Sequence, residues 1–142
     1  MIILDTNVIS EGFRARPDRM VLDWLNEKAV LGFALCAPVL AELRYGIERL
    51  PNGARRNALE QFVTSAQSDL FGGDIFAFDR ASAHEFGRVV AKRNQLGRPI
   101  SQMDALIAAI AIANSASIAT RDVEGFAGLG IELINPFEAT AG

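Results

Sequence analysis

Short apolar runs alternate along the chain with longer segments in which apolar residues recur every three or four positions. The short runs are residues 1–4, 31–35, 75–78, 118–120 and 131–134, and continuous runs of this kind are typical of buried strands. Helical periodicity follows in the segments that begin at Pro17, Pro38, Ala54, Asp79 and Ser101. Strands that alternate with helices predict an α/β fold with a mainly parallel sheet.

The same periodicity assigns inward-facing side chains to the helices. The expected core positions are Met20, Val21, Trp24, Leu25, Leu40, Leu43, Ile47, Leu50, Leu59, Phe62, Val63, Ala66, Ala83, Phe86, Val90 and Ala91. A small domain can bury only part of the first two stripes, from Met20 to Trp24 and from Leu40 to Leu50. Either both stripes are core, or they leave a groove for an amphipathic partner helix.

A length of 142 residues fits one domain over positions 1–142, without a linker or an internal repeat. The chain opens directly on a strand-like run rather than a signal peptide, and no apolar stretch is long enough to cross a membrane. The single cysteine, Cys36, lies in an apolar run, which indicates a buried thiol in a reducing compartment. We therefore expect a cytoplasmic protein without membrane association.

Four acidic residues change this picture of an ordinary α/β domain. They are Asp5, Glu42, Asp104 and Asp122, and each follows or lies near a strand-like run. Residues just past the carboxyl ends of parallel strands meet in one crevice, so we expect the four side chains to lie close together. Each acid could instead have a purely structural role. Asp5 and Asp122 are common residue types in turns, and Glu42 and Asp104 are favoured in the first turns of helices.

Four carboxylates in one crevice need a compensating charge. Two of them 4 Å apart repel by about 4 kcal/mol at an effective dielectric near 20, and no lysine adjoins any of the four in the sequence. A hard divalent cation with oxygen ligands, Mg²⁺ or Mn²⁺, supplies that charge most simply. Metal-assisted phosphoryl chemistry is then the leading hypothesis.

Several segments of the chain carry a resemblance to a known family. They are Met-Ile-Ile-Leu-Asp-Thr-Asn-Val-Ile-Ser-Glu at the start, Pro-Val-Leu-Ala-Glu-Leu-Arg-Tyr-Gly from Pro38, Asp-Ala-Leu-Ile-Ala-Ala from Asp104, and Ala-Thr-Arg-Asp before Asn135-Pro136-Phe137. In this order and spacing the chain resembles the PIN domain, and more narrowly its VapC/FitB-like toxin ribonucleases. The resemblance covers essentially the whole chain.

The resemblance implies about five parallel strands flanked by helices on both faces, and a Mg²⁺- or Mn²⁺-dependent endoribonuclease. It implies a homodimer inhibited by a VapB/FitA-like antitoxin. It assigns Asp5, Glu42, Asp104 and Asp122 to the catalytic, metal-binding acidic cluster. It also assigns Thr6, Asn7 and Thr120 to hydrogen bonds that support those carboxylates. Many relatives carry a polar or acidic residue three positions after Asp122, where this chain has Gly125.

The basic residues are 12 arginines and 2 lysines in a chain of net charge −3, so a bound RNA would need a local arginine-lined face. Arg44 and Arg121 are nearest to the acids in sequence, and Arg88 and Arg93 share a predicted helix face. Each has the alternative of a solvated helix surface. The single histidine, His84, is expected at the surface, because histidine-based ribonuclease chemistry needs two acid–base groups.

Three other classes of protein share parts of this sequence pattern. A phosphoacceptor receiver domain would need a lysine at the end of a late strand, and neither Lys28 nor Lys92 is so placed. A structure-specific DNA nuclease usually adds helical arches, for which 142 residues leave little room. A catalytically silent PIN-fold module that binds RNA or protein is the alternative that stays open, although all four acids are retained.

Overall fold

The computed structural model describes residues 1–72 and 75–138. Its five strands are β1 (Ile2–Leu4), β2 (Phe33–Cys36), β3 (Ile75–Phe76), β4 (Ser117–Ala119) and β5 (Leu133–Ile134). All paired strands are parallel, in the order β3-β2-β1-β4-β5. This confirms the predicted α/β fold. The prediction of one domain over 1–142 reaches positions outside the described residues and stays a prediction.

Six α-helices connect and flank the strands in the described residues. They are α1 (Thr6–Glu11), α2 (Arg19–Lys28), α3 (Ala37–Glu48), α4 (Ala54–Asp69), α5 (Arg80–Gln95) and α6 (Gln102–Ala113). Two short 3-10 helices lie at Ala29–Leu31 and Val123–Phe126. No helix of the described residues is long and apolar enough to span a membrane.

The core lies between the sheet and its helices. The side chains of β1 and β2 are all buried, as continuous apolar strands require. Helix α6 buries an almost unbroken series from Ala105 to Ala111, because its small alanines let the neighbouring elements, above all α5, pack closely against it. The predicted burial of Cys36 is confirmed.

Several element boundaries differ from the sequence prediction: β3 ends at Phe76, β4 spans Ser117–Ala119 and β5 begins at Leu133, and three further differences have a clear local cause. Thr6–Glu11 forms a helix rather than a turn, because Asp5 accepts a hydrogen bond from the Thr6 N–H and so caps a new helix. Helix α2 starts at Arg19 rather than Pro17, since Asp18 caps it. The second strand starts at Phe33 rather than residue 31, because Gly32 turns the chain at a φ of +79°.

The predicted helix faces need two corrections. In α5 the buried residues are Ser82, Val89 and Arg93, whereas Ala83 and Ala91 are exposed; alanine carries too little apolar surface to fix the rotation of a helix. Met20 is exposed, while Val21, Trp24, Leu43 and Ile47 are core, and Leu40 and Leu50 are half-buried. The two stripes are therefore mostly core, which is the first of the two alternatives that the sequence left open.

Candidate functional site

Asp5 stands at the centre of the site, immediately after β1. Its carboxylate is almost fully buried, and its Oδ1 accepts from the Thr6 N–H at 2.8 Å. Its Oδ2 accepts from the Thr120 hydroxyl at 2.8 Å and from the Asn7 amide at 3.4 Å. Asp5 is thus a helix cap rather than the turn residue of the structural alternative, and it is also a buried anion held in one orientation by polar groups that are distant in the sequence.

Thr120 joins Asp5 to Asp122. It is completely buried at the end of β4, and its hydroxyl oxygen accepts from the Asp122 N–H at 3.0 Å while donating to Asp5. Asn7 fixes the same turn, because its Oδ1 accepts from the Arg121 N–H at 3.1 Å. The parallel pairing of β1 with β4 brings these positions together over more than 110 residues of sequence.

Glu42 comes from α3, which starts at the carboxyl end of β2. Its side chain is half-buried, and its Oε1 accepts from the Thr6 hydroxyl at 3.0 Å. Thr6 therefore contacts two of the acids, through its backbone N–H to Asp5 and its hydroxyl to Glu42. This arrangement orients both carboxylates towards the same end of the sheet.

Asp104 lies in the first turn of α6 and is half-buried. The cap of that helix is Ser101, whose hydroxyl accepts from the Asp104 N–H at 3.2 Å. The Asp104 carboxylate is consequently not needed as the cap. Its negative charge is still favoured at this helix N-terminus.

Asp122 caps the 3-10 helix Val123–Phe126, and its Oδ1 accepts from the Gly125 N–H at 3.1 Å. A Cβ atom built on Gly125 would lie 2.5 Å from Asp122 Oδ2 and 3.4 Å from Asp104 Oδ2. Any side chain at position 125 would therefore enter the space between these two carboxylates. Glycine keeps that space open, and this is the structural consequence of having Gly125 where many relatives carry a polar or acidic residue.

Burial and neighbouring carboxylates raise the pKa values of three of the acids, Asp5, Glu42 and Asp104. Burial is the largest cause of the raised pKa of Asp5, and the nearby Asp122 adds to it against the hydrogen bonds from Thr120 and Thr6. Burial also raises the pKa values of Glu42 and Asp104, and in both the charge of Asp5 contributes. The four predicted acids therefore lie close enough for their negative charges to interact.

Arg93 does not lie on the protein surface, where both alternatives from the sequence, a solvated helix face and an RNA-binding face, would place it. It is buried, and its guanidinium donates to the carbonyl oxygens of Arg98 at 2.7 Å, Glu124 at 3.1 Å and Ala127 at 2.8 Å. Its charge lowers the pKa of Asp104, although less than burial raises it. Arg93 thus fastens the turn that follows Asp122.

Two possible nucleophilic or acid–base groups have no part in this site. Burial raises the pKa of the Cys36 thiol to about 12, and the charges of Asp5 and Glu42 add to that shift, so the thiolate is absent near neutral pH. His84 is exposed on α5, as predicted. The chemistry available at this edge of the sheet is therefore that of carboxylates.

The donor set suits a hard cation, but the carboxylates do not converge on one point. Within residues 1–72 and 75–138, no three acidic, histidine or cysteine side chains are close enough together to hold a metal ion directly. The open space at Gly125 between Asp122 and Asp104 is nevertheless lined by two oxygens. Mg²⁺ commonly takes one or two carboxylates and keeps several waters, so these residues fit such an ion.

The family follows from comparison with known proteins. The family model of the PIN domain matches residues 2–130, so the chain belongs to the PIN domain family. Three relatives match over nearly their whole length and that of this chain. The plasmid stability protein StbB of Pseudomonas syringae is 39% identical over 98% of this chain and 100% of its own.

The other two relatives are 36% identical to this chain. They are the VapC ribonuclease Y4jK of Sinorhizobium fredii, over 97% of this chain and 99% of its own, and the toxin FitB of Neisseria gonorrhoeae, over 96% and 99%. The solved structure of FitAB bound to a DNA fragment contains a chain with a TM-score of 0.92 and 34% identity, covering 99% of both chains. The predicted resemblance is confirmed.

Proposed function

We propose that this chain is a divalent-metal-dependent endoribonuclease that hydrolyses RNA phosphodiester bonds and serves as the toxin of a toxin–antitoxin pair. The observation that carries the proposal is that Asp5, Glu42, Asp104 and Asp122 lie at the same carboxyl edge of the sheet, close enough for their charges to interact. The similarity to a VapC ribonuclease and to the toxin FitB supports the same activity. We also propose a cytoplasmic location, where a toxin that cuts RNA would meet its substrate.

Asp5 and Asp104 would hold Mg²⁺ or Mn²⁺, with Glu42 and Asp122 acting directly or through water. When bound, such an ion lowers the pKa of a coordinated water and screens the charge that builds on the phosphate. The raised pKa values of Asp5, Glu42 and Asp104 mean that cation binding and proton binding compete for these carboxylates.

The chain's own polar groups keep the acids in place for this chemistry. Thr120 and the Thr6 N–H use the two oxygens of Asp5, so Asp5 cannot rotate without losing a hydrogen bond. Asn7 ties the turn after β4 to the first turn of α1. Removal of such supporting hydrogen bonds typically lowers metal affinity or activity by about 10- to 100-fold.

The proposed antitoxin contact lies between α2 and α4. A cavity of about 400 Å³ opens there, lined on its apolar side by Leu22, Leu25, Phe62, Ala66 and Leu70. We assign this surface, rather than the stripes of α2 and α3 that proved to be core, to a VapB/FitA-like antitoxin helix. The assignment is tested by co-expressing the chain with the short reading frame beside its gene and measuring co-purification of the wild type and of Leu22→Asp.

A homodimer is part of the same proposal. Large apolar side chains stay exposed in the single chain, including Val30 at 89% and Tyr45 at 64%. Sedimentation measures the assembly directly: twice the chain mass of 15.3 kDa supports the dimer, and a concentration-independent mass of one chain contradicts it.

The activity is tested with the purified chain, free of any partner, on a structured RNA. We expect cleavage with Mg²⁺ or Mn²⁺ and none in excess chelator. A folded chain that binds RNA without cutting it under any metal condition would point to the catalytically silent module. Unchanged cleavage in chelator would exclude the metal-dependent mechanism.

A further inference from the structure

A carboxylate cluster repels the phosphates of RNA, so an RNA-cleaving site needs a cation at its rim. Most arginines near the acids are already engaged. Arg44 pairs with Glu48 and Glu60, at 3.3 and 3.2 Å. Arg93 is buried and donates hydrogen bonds to three carbonyl oxygens. Arg88 pairs with Glu85, and Arg98 pairs with Glu124.

Arg121 differs from these because its backbone belongs to the site while no carboxylate of residues 1–72 and 75–138 pairs with its charge. It lies between Thr120 and Asp122, and its N–H donates to Asn7 Oδ1 at 3.1 Å. Its carbonyl oxygen accepts from the Asn135 amide at 3.4 Å. The side chains of Asn7 and Asn135, from different segments of the chain, therefore fix the backbone of Arg121.

The Arg121 side chain is also ordered at its far end. Its guanidinium carbon lies 3.8 Å from the centre of the Phe137 ring, and the Asn135 Oδ1 accepts from the Phe137 N–H at 3.0 Å. Within the described residues no carboxylate lies within salt-bridge distance of this guanidinium, and its N–H groups have no protein acceptor. Contact with an aromatic ring orders the cation and leaves its N–H donors available.

We propose that Arg121, held on Phe137, binds a phosphate of the RNA substrate beside the phosphodiester that is cut. The inference rests on the proposed ribonuclease function and adds a substrate contact to it. A planar guanidinium donates two parallel hydrogen bonds to a phosphate, and its placement next to Asp122 aligns the RNA backbone with the acids. Because it is pre-ordered, little side-chain freedom is lost when RNA binds.

The test measures RNA binding at a series of salt concentrations in an Asp104→Asn background, which is expected not to cut. Arg121→Gln should weaken binding roughly tenfold and reduce the slope of log K against log salt by about one, because one phosphate contact is lost. Phe137→Leu should weaken binding less and leave the slope unchanged, since the charge remains. The matched control is Arg88→Gln, an exposed arginine on α5 paired with Glu85, which should bind as its parent does.

Equal affinity and equal slope for the Arg121→Gln and Arg88→Gln proteins would overturn the inference while leaving the ribonuclease proposal intact. A parent protein that neither binds nor cuts RNA would overturn both. Loss of antitoxin binding by Arg121→Gln, with RNA binding kept, would assign the cation to the protein partner and also contradict the inference. Melting curves of each variant check that the fold is kept, as expected for an exposed side chain.

Discussion

Replacement of Gly125 by alanine should reduce catalysis far more than stability. The added Cβ would lie 2.5 Å from Asp122 Oδ2, closer than the 3.4 Å at which ordinary contact begins. The exposed Asp122 side chain can yield, so it must move by roughly 1 Å, and a displacement of this size at a reacting centre costs on the order of 100-fold in rate. The fold loses at most the hydrogen bond from the Gly125 N–H to that carboxylate, about 1.5–3 kcal/mol for a charged acceptor and less where water replaces it.

A double-mutant cycle separates this mechanism from a general disturbance of the turn. Asp122→Ala removes the oxygen that the new methyl group would meet, so Gly125→Ala should cost nothing further in that background. The control is Gly87→Ala, a helical glycine with no atom within 4 Å of the added Cβ, which should cut RNA as wild type does. The measurement is the initial RNA-cleavage rate of the wild type, of Gly125→Ala, of Asp122→Ala and of the double variant. An equal loss from Gly125→Ala in both backgrounds would refute the proposed contact with Asp122.

Three further predictions concern charge and burial. Because the pKa values of Asp5, Glu42 and Asp104 are raised in the fold, the metal-free protein gains stability at acidic pH and loses it as the pH rises through those values. The melting temperature of the wild type should therefore fall as the pH rises, and that of Asp5→Asn should fall less. Parallel curves of melting temperature against pH for the two proteins would contradict this. Mn²⁺ at a hundredfold excess over Kd should stabilise the wild-type fold by about 2.7 kcal/mol, measured as a higher melting temperature, and should hardly stabilise Asp5→Asn. Equal shifts in melting temperature for both proteins would mean that the ion binds outside the acidic cluster. Arg93→Met should cost about 3 kcal/mol or more in denaturant unfolding, because three carbonyl oxygens lose their donor; a loss below 1 kcal/mol would contradict that role.

The sheet and its acidic edge could be predicted from the sequence because both depend on local pattern. Each central strand is a short apolar run, and Asp5 follows one directly. Parallel pairing then places strand ends together without further information. Helix α1 was missed for a local reason, since Thr6 and Asn7 are common in turns and the capping role of Asp5 depends on its side-chain rotamer.

Arg93 and Gly125 could not be understood from the sequence for a different reason. The carbonyl groups that Arg93 binds at Glu124 and Ala127 lie more than 30 residues away, so no spacing rule connects them. The rotation of α5 was also misjudged, because Ala83 and Ala91 looked as apolar as the residues that are buried. Gly125 was visible as a departure from the family pattern, but its closeness to Asp104 appears only in three dimensions.

The ribonuclease proposal depends most on the charges of Asp5 and Asp104. The decisive measurement is the single-turnover rate of RNA cleavage in saturating Mn²⁺ for Asp5→Asn, Asp104→Asn and the control Glu60→Gln. Glu60 is an exposed acid that pairs with Arg44 outside the cluster, so its variant should cut as wild type does. We predict that both aspartate variants stay folded and lose nearly all cleavage. Wild-type rates in either aspartate variant would contradict the assignment of the acidic cluster as the active site.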